Sequence, residues 1–99
     1  ISASGSANGI AWAIDTNPYC TPQSSSCGPA VLYAMDAGRL STELWNSSVV
    51  AADQAGNAVK FTPPTVANGR VYIGTRGNDT GGGTSTIPGE LDVYGLKPN

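Results

Sequence analysis

Few residues in this chain could do chemistry, and their types narrow the choice quickly. There is no histidine, and there are two cysteines, Cys20 and Cys27. Zinc is disfavoured, because one cysteine pair without histidine cannot complete a tetrahedral ligand set, and the spacing is not the Cys-x-x-Cys of a redox site. A disulfide between Cys20 and Cys27 is the expectation. It would close a short polar loop and contribute on the order of 2–3 kcal/mol through loop closure. It would also imply an oxidising compartment, extracellular or periplasmic. The loops are rich in Ser, Thr and Asn, which agrees with that location. Asn46-Ser47-Ser48 and Asn78-Asp79-Thr80 match the glycan acceptor pattern, a triplet that arises often by chance in such a chain.

Support for catalysis is thin. No serine sits in a nucleophile-elbow pattern, and no histidine is present to serve as a base. The one close carboxylate pair is Glu90 and Asp92. Their alternation places both on one face of an expected strand, where a solvated face is the simpler reading. Gly81-Gly82-Gly83 lacks the lysine and the helix that a phosphate cradle needs. No catalytic residue and no metal ligand are therefore assigned. Trp12 and Tyr72 are the candidate ligand-stacking residues. Packing on a strand face is the first reading for both, and an exposed sugar-stacking platform is the alternative.

Composition sets the frame for these residues. The chain has 99 residues, 39% of them apolar, with thirteen glycines and seven prolines. That makes for a modest core and much turn, hence a loop-rich β protein. Five basic against seven acidic residues leave no basic patch to neutralise phosphates, so nucleic acid is not an expected partner. No apolar run approaches the roughly 20 residues that span a bilayer, and Ile1-Ser2-Ala3-Ser4 lacks the features of a signal peptide. A membrane is not expected either.

The elements that must position these groups are written almost twice. Ala7-Asn8-Gly9-Ile10-Ala11-Trp12-Ala13-Ile14 returns as Ala67-Asn68-Gly69-Arg70-Val71-Tyr72-Ile73-Gly74. Strands are expected near 2–6, 10–15, 30–36, 42–47, 62–67, 70–75 and 90–96, with Pro63-Pro64 opening the fifth. Asn8-Gly9 and Asn68-Gly69 each lie between two extended stretches. Both central positions of a type I′ turn need positive φ, so each pair predicts a tight hairpin. One helical turn is expected between Ser48 and Lys60, ended by Gly56-Asn57. Repeats of antiparallel strands mark architectures whose units bury their faces only against neighbours.

One stretch carries a family resemblance. Leu32-Tyr33-Ala34-Met35-Asp36-Ala37-Gly38-Arg39-Leu40-Ser41-Thr42-Glu43-Leu44-Trp45 resembles the tryptophan-docking motif of quinoprotein-type (PQQ-like) β-propellers, in which Ala-x-Asp on a third strand precedes a Trp on the fourth. One residue is extra before the Trp, and Leu40 stands where the common pattern has Gly. Phe61 to Thr75 looks like the first two strands of a following blade, and Gly89 to Leu96 like its third. The resemblance implies an all-β chain of antiparallel four-stranded blades, about one complete blade plus three strands of a second. The blade with its disulfide-closed loop would span 1–48, the inter-blade connection 49–61 and the incomplete C-terminal blade 62–99.

The resemblance also implies structural roles. Trp45 would pack largely buried between blades with its indole N–H bonded to an acceptor, and Ala34 is a structural residue of the same motif. Asp36 would accept backbone N–H groups in its turn, while Asn68 and Gly69 make theirs. The function it implies is a non-catalytic segment of a secreted propeller, a scaffold or a surface for protein or carbohydrate. The alternative is a fragment of a PQQ-dependent alcohol or sugar dehydrogenase, whose PQQ and calcium would be held by several blades and by no residue assigned in this chain. Expected partners are the remainder of a larger propeller or further copies of the chain.

Overall fold

A computed structural model describes residues 1–2, 9–19, 27–79 and 89–95. Among these the molecule is all-β apart from one short 3-10 turn, Ala51–Asp53. Six strands form two separate three-stranded antiparallel sheets. β1 (Ile10–Asp15), β2 (Val31–Asp36) and β3 (Arg39–Asn46) make the first, and β4 (Thr65–Ala67), β5 (Arg70–Thr75) and β6 (Glu90–Tyr94) the second. Each sheet is a meander in sequence order, and neither closes on itself.

The second hairpin turns where its residues demand. Asn68 has φ 52° and Gly69 φ 72°, and Ala67 pairs with Arg70, the geometry of a type I′ turn. The first copy departs from it. A two-residue turn at Asn8-Gly9 would pair Ala7 with Ile10, but Ile10 exchanges both backbone hydrogen bonds with Ser2, at 2.8 and 2.7 Å. The expected tight hairpin at Asn8-Gly9 is therefore corrected. Residues 3–6 of the expected first strand lie outside the described residues, as does Asn8. The strand expected from residue 62 begins at Thr65, since Pro63 and Pro64 have no N–H to give a ladder. The strand expected over 42–47 starts earlier, at Arg39, and its pairing with β2 shifts register on both sides of Met35. That bulge absorbs the extra residues between Asp36 and Trp45 and still brings Trp45 opposite Ala34.

The repeat is real in its hydrogen bonds as well as its letters. After β1, the Asp15 carboxylate accepts the Asn17 N–H at 2.9 Å, and the Thr16 carbonyl accepts the Tyr19 N–H at 3.1 Å. After β5, the Thr75 hydroxyl accepts the Gly77 N–H at 3.1 Å, and the Arg76 carbonyl accepts the Asp79 N–H at 3.1 Å. Asp and Thr do the same local work here, each offering an oxygen two residues back from the amide it binds.

Both sheets turn one face to a single core. Leu32 from β2, Val71 and Ile73 from β5, and Ala30, Ala55 and Ala58 from the connecting segments are buried together, with Trp12, Ile14, Tyr19, Trp45 and Tyr94 packed around them. Directly opposed residues of an antiparallel pair share a face. The first sheet therefore presents Trp12, Ile14, Leu32, Ala34 and Trp45 to the core, and the second presents Val71, Ile73, Thr75, Asp92 and Tyr94.

Candidate functional site

The densest constellation of named side chains is the seam between the sheets. Trp45 meets Tyr94 edge to face, with ring centroids 5.6 Å apart and planes at 62°, the arrangement favoured by the ring quadrupoles. Trp45, near the end of β3, packs against the core with Tyr94 covering one side, neither fully buried nor exposed. The Tyr94 hydroxyl continues across the seam and donates to the Asp53 carbonyl at 2.9 Å. Behind it, Ser47 is fully buried, and its Oγ accepts the Leu32 N–H at 2.9 Å. A polar atom so deep is tolerated because it is bonded.

The segment after the 3-10 turn threads between the sheets and bonds to both. Ala30 N–H donates to the Gly56 carbonyl at 2.9 Å, and Ala58 N–H to the Gly28 carbonyl at 2.9 Å, which ties the segment to the first unit. On the other side Asn57 N–H donates to the Gly77 carbonyl, Arg76 N–H to the Asn57 carbonyl, and Gly56 N–H to Asp92 Oδ2 at 2.9 Å. The Asn57 amide adds a bond to the Asp79 carbonyl at 3.0 Å, and the carboxylate of buried Asp79 takes the Arg76 guanidinium at 2.6 Å. The Gly56–Ala58 segment thus bonds to both three-stranded units.

Two ionisable groups at the seam are displaced. A hydrogen bond with Asp92, and then that neighbour's charge, raises the Glu90 carboxyl above the ordinary glutamate value. Burial, followed by the charge of Asp92, raises the Tyr94 hydroxyl above its usual value near 10, with a hydrogen bond from Ser47 opposing. An acid whose folded pKa is raised contributes stability below its unfolded pKa and loses it as pH rises through the folded value. The wild-type chain is therefore expected to lose stability above about pH 10, and Tyr94→Phe to flatten that alkaline limb. Denaturant melts at a series of alkaline pH values check it, and parallel curves for the two proteins would contradict it.

The residues picked from sequence fall in separate places. Asp36 Oδ1 accepts the Gly38 N–H at 2.8 Å, inside its own turn. Cys27 is not a free thiol, and Cys20 lies outside the described residues. Trp12 points into the core, half-buried, and its indole N–H donates to Ser2 Oγ at 2.9 Å. Tyr72 occupies the corresponding repeat position but sits on the opposite kind of face, away from the core, because Val71 and Ile73 on either side of it are the buried ones. The two therefore do not form one stacking platform. The Asn46 amide is engaged with Glu43 and Ser48, while Asn78 is exposed. Ser47, Gly56, Asn57 and Tyr94 were not singled out by sequence reasoning. Gly56-Asn57 carried a signal only as a helix stop, and Ser47 only as the middle of a glycan acceptor triplet.

Among the described residues no group of three or more Asp, Glu, Cys or His is placed to hold a metal ion, and no helix is long and apolar enough to cross a membrane. No family model matches the chain, and no curated protein or solved structure matches it. The arrangement can bury aromatic surface and register backbone.

Proposed function

We propose that the chain is a non-catalytic pair of β-propeller blades of a secreted, PQQ-like protein, serving as a scaffold whose outer surfaces meet protein or carbohydrate. The observation that carries this reading is the seam. The constellation of aromatic, hydroxyl and amide groups that elsewhere builds an active site is used here, bond by bond, to hold one three-stranded unit on the next. The repeated turn hydrogen bonds and the resemblance of the Ala34 to Trp45 stretch support the blade assignment. For a ligand, Tyr72, on the face away from the core, is one aromatic available for sugar stacking, and the exposed Phe61 is another.

The test has two arms on the purified chain. Dye-linked oxidation of alcohols and sugars with added PQQ and calcium is expected to show no saturable turnover, and titration with neutral oligosaccharides reads the surface through tyrosine and tryptophan fluorescence. Quinone-dependent saturable turnover would overturn the scaffold reading in favour of a dehydrogenase fragment. A saturable fluorescence change abolished by Tyr72→Ala identifies carbohydrate as the ligand class.

A further inference from the structure

The exposed apolar residues of the second sheet have counterparts in the first, and those counterparts are buried. Aligning the sheets by their pairing makes the equivalence explicit. In the first sheet Trp12 stands opposite Ala34 and Ile14 opposite Leu32. In the second, Tyr72 stands opposite Val93 and Gly74 opposite Leu91. Tyr72, Leu91 and Val93 are thus the structural equivalents of Trp12, Leu32 and Ala34. The burials differ sharply: Leu32 is 0% exposed and Ala34 4%, whereas Leu91 is 64% exposed and Val93 49%. Thr62 extends the open patch, its methyl lying over Gly74, 3.6 Å from where a Cβ would stand.

What covers that face in the first unit is the opposite face of the second, through Val71, Ile73 and Tyr94. By the same pairing, the equivalents of those three are Ala11, Ala13 and Met35, on the outer face of β1 and β2 with Tyr33 and Val31. Among the described residues, then, no sheet packs on the Leu91 and Val93 face of the second unit or on the Ala13 face of the first, the two sides of an interface the chain already makes once internally. The two sides differ, and the internal contact joins one kind to the other, not either kind to itself. They fit head to tail.

We propose that the Tyr72, Leu91 and Val93 face of one chain docks on the Ala11, Ala13, Tyr33 and Met35 face of a second copy, repeating the internal sheet-on-sheet contact. Repeat units bury their faces only against neighbours, and this pairing is the one the chain's own packing specifies. The inference rests on the reading of the sheets as stackable units, but not on their lacking catalysis, so enzyme assays and association measurements fail independently.

Complementation tests it. Sedimentation velocity over a concentration series is expected to show wild-type mass growing with concentration. Leu91→Glu spoils one face and Ala13→Glu the other. Both positions are exposed, so neither change disturbs the core. Each variant alone is expected to remain monomeric up to at least tenfold the wild-type association midpoint. An equimolar mixture is expected to give a species of twice the monomer mass, because each variant retains the face the other lacks. A wild-type chain monomeric at every concentration overturns the proposal. So do single variants that still associate, and so does a mixture that fails to pair while the wild type assembles, since that result belongs to like-on-like packing or to a different surface.

Discussion

Leu32→Ala is expected to cost about 2–5 kcal/mol, a large part of the roughly 5–15 kcal/mol that holds a small domain together. Leu32 is the largest fully buried side chain of the first sheet and sits at the centre of the shared core, with Val71 and Ile73 from the second sheet in the same cluster. Truncation removes transfer free energy and leaves a void lined by side chains from both sheets. Those sheets are pinned by the Gly56–Asn57 segment and cannot close freely over it. For a chain of this size each kcal/mol lowers the melting temperature by about 4–8 °C, so the fall should be at least about 8 °C. Leu44→Ala, on a residue 54% exposed in the same sheet, should stay within about 0.5 kcal/mol. Thermal melts followed by circular dichroism compare the two. If both variants melt within a degree or two of the parent, the core does not lie between the sheets.

Gly56→Ala is expected to be the most damaging single methyl group that can be added to the molecule. A Cβ at Gly56 would stand 2.7 Å from Gly77 Cα and 2.8 Å from Gly77 N, inside the contact distance of backbone that has no rotamer with which to yield. The segment would have to withdraw from β5. With it would go the bonds from Gly56 to Asp92 and Ala30 and the paired bonds of Asn57 with Arg76 and Gly77. Overpacking alone costs about 1–3 kcal/mol, and each buried polar group left unpaired adds about 1–3 kcal/mol more. Gly28→Ala is the control, because a Cβ there meets only the Pro18 Cβ at 3.5 Å, an ordinary contact. Urea titration of both variants decides the matter. Equal midpoints for the two would mean that the seam is looser than its hydrogen bonds indicate.

Much of the local architecture is legible in short runs of residues. Alternating apolar residues at Ile10, Trp12 and Ile14 and the Asn68-Gly69 turn are local signals, and local backbone chemistry answers them directly: positive φ at two adjacent residues selects Asn-Gly, and a period of two selects a strand. Asp36 in its turn belongs to the same class, since the amide it binds is two residues away. The all-β architecture and the boundaries of β1 and β5 follow from such signals.

Other features depend on partners far along the chain, which no short window contains. Asn8-Gly9 has the letters of a hairpin, but Ile10 pairs with Ser2 on one side and with Asp36 of β2, far along the chain, on the other. Trp12 and Tyr72 occupy matching places in the repeat yet face opposite ways relative to the core. The alternation of buried and open residues takes its sense from which face a neighbouring sheet covers, and only Val71 and Ile73 packing on Leu32 sets it. Gly56 and Asn57 look like a helix stop, while their role is to lie between two sheets joined to residues at 28–30 and 76–77. The sequence by itself determined the strands, the turn chemistry and the duplication, because these are properties of adjacent residues. Only the tertiary structure decided which faces are buried, which segment binds the units and which apolar surface is left open, because burial is a relation between elements distant in the chain.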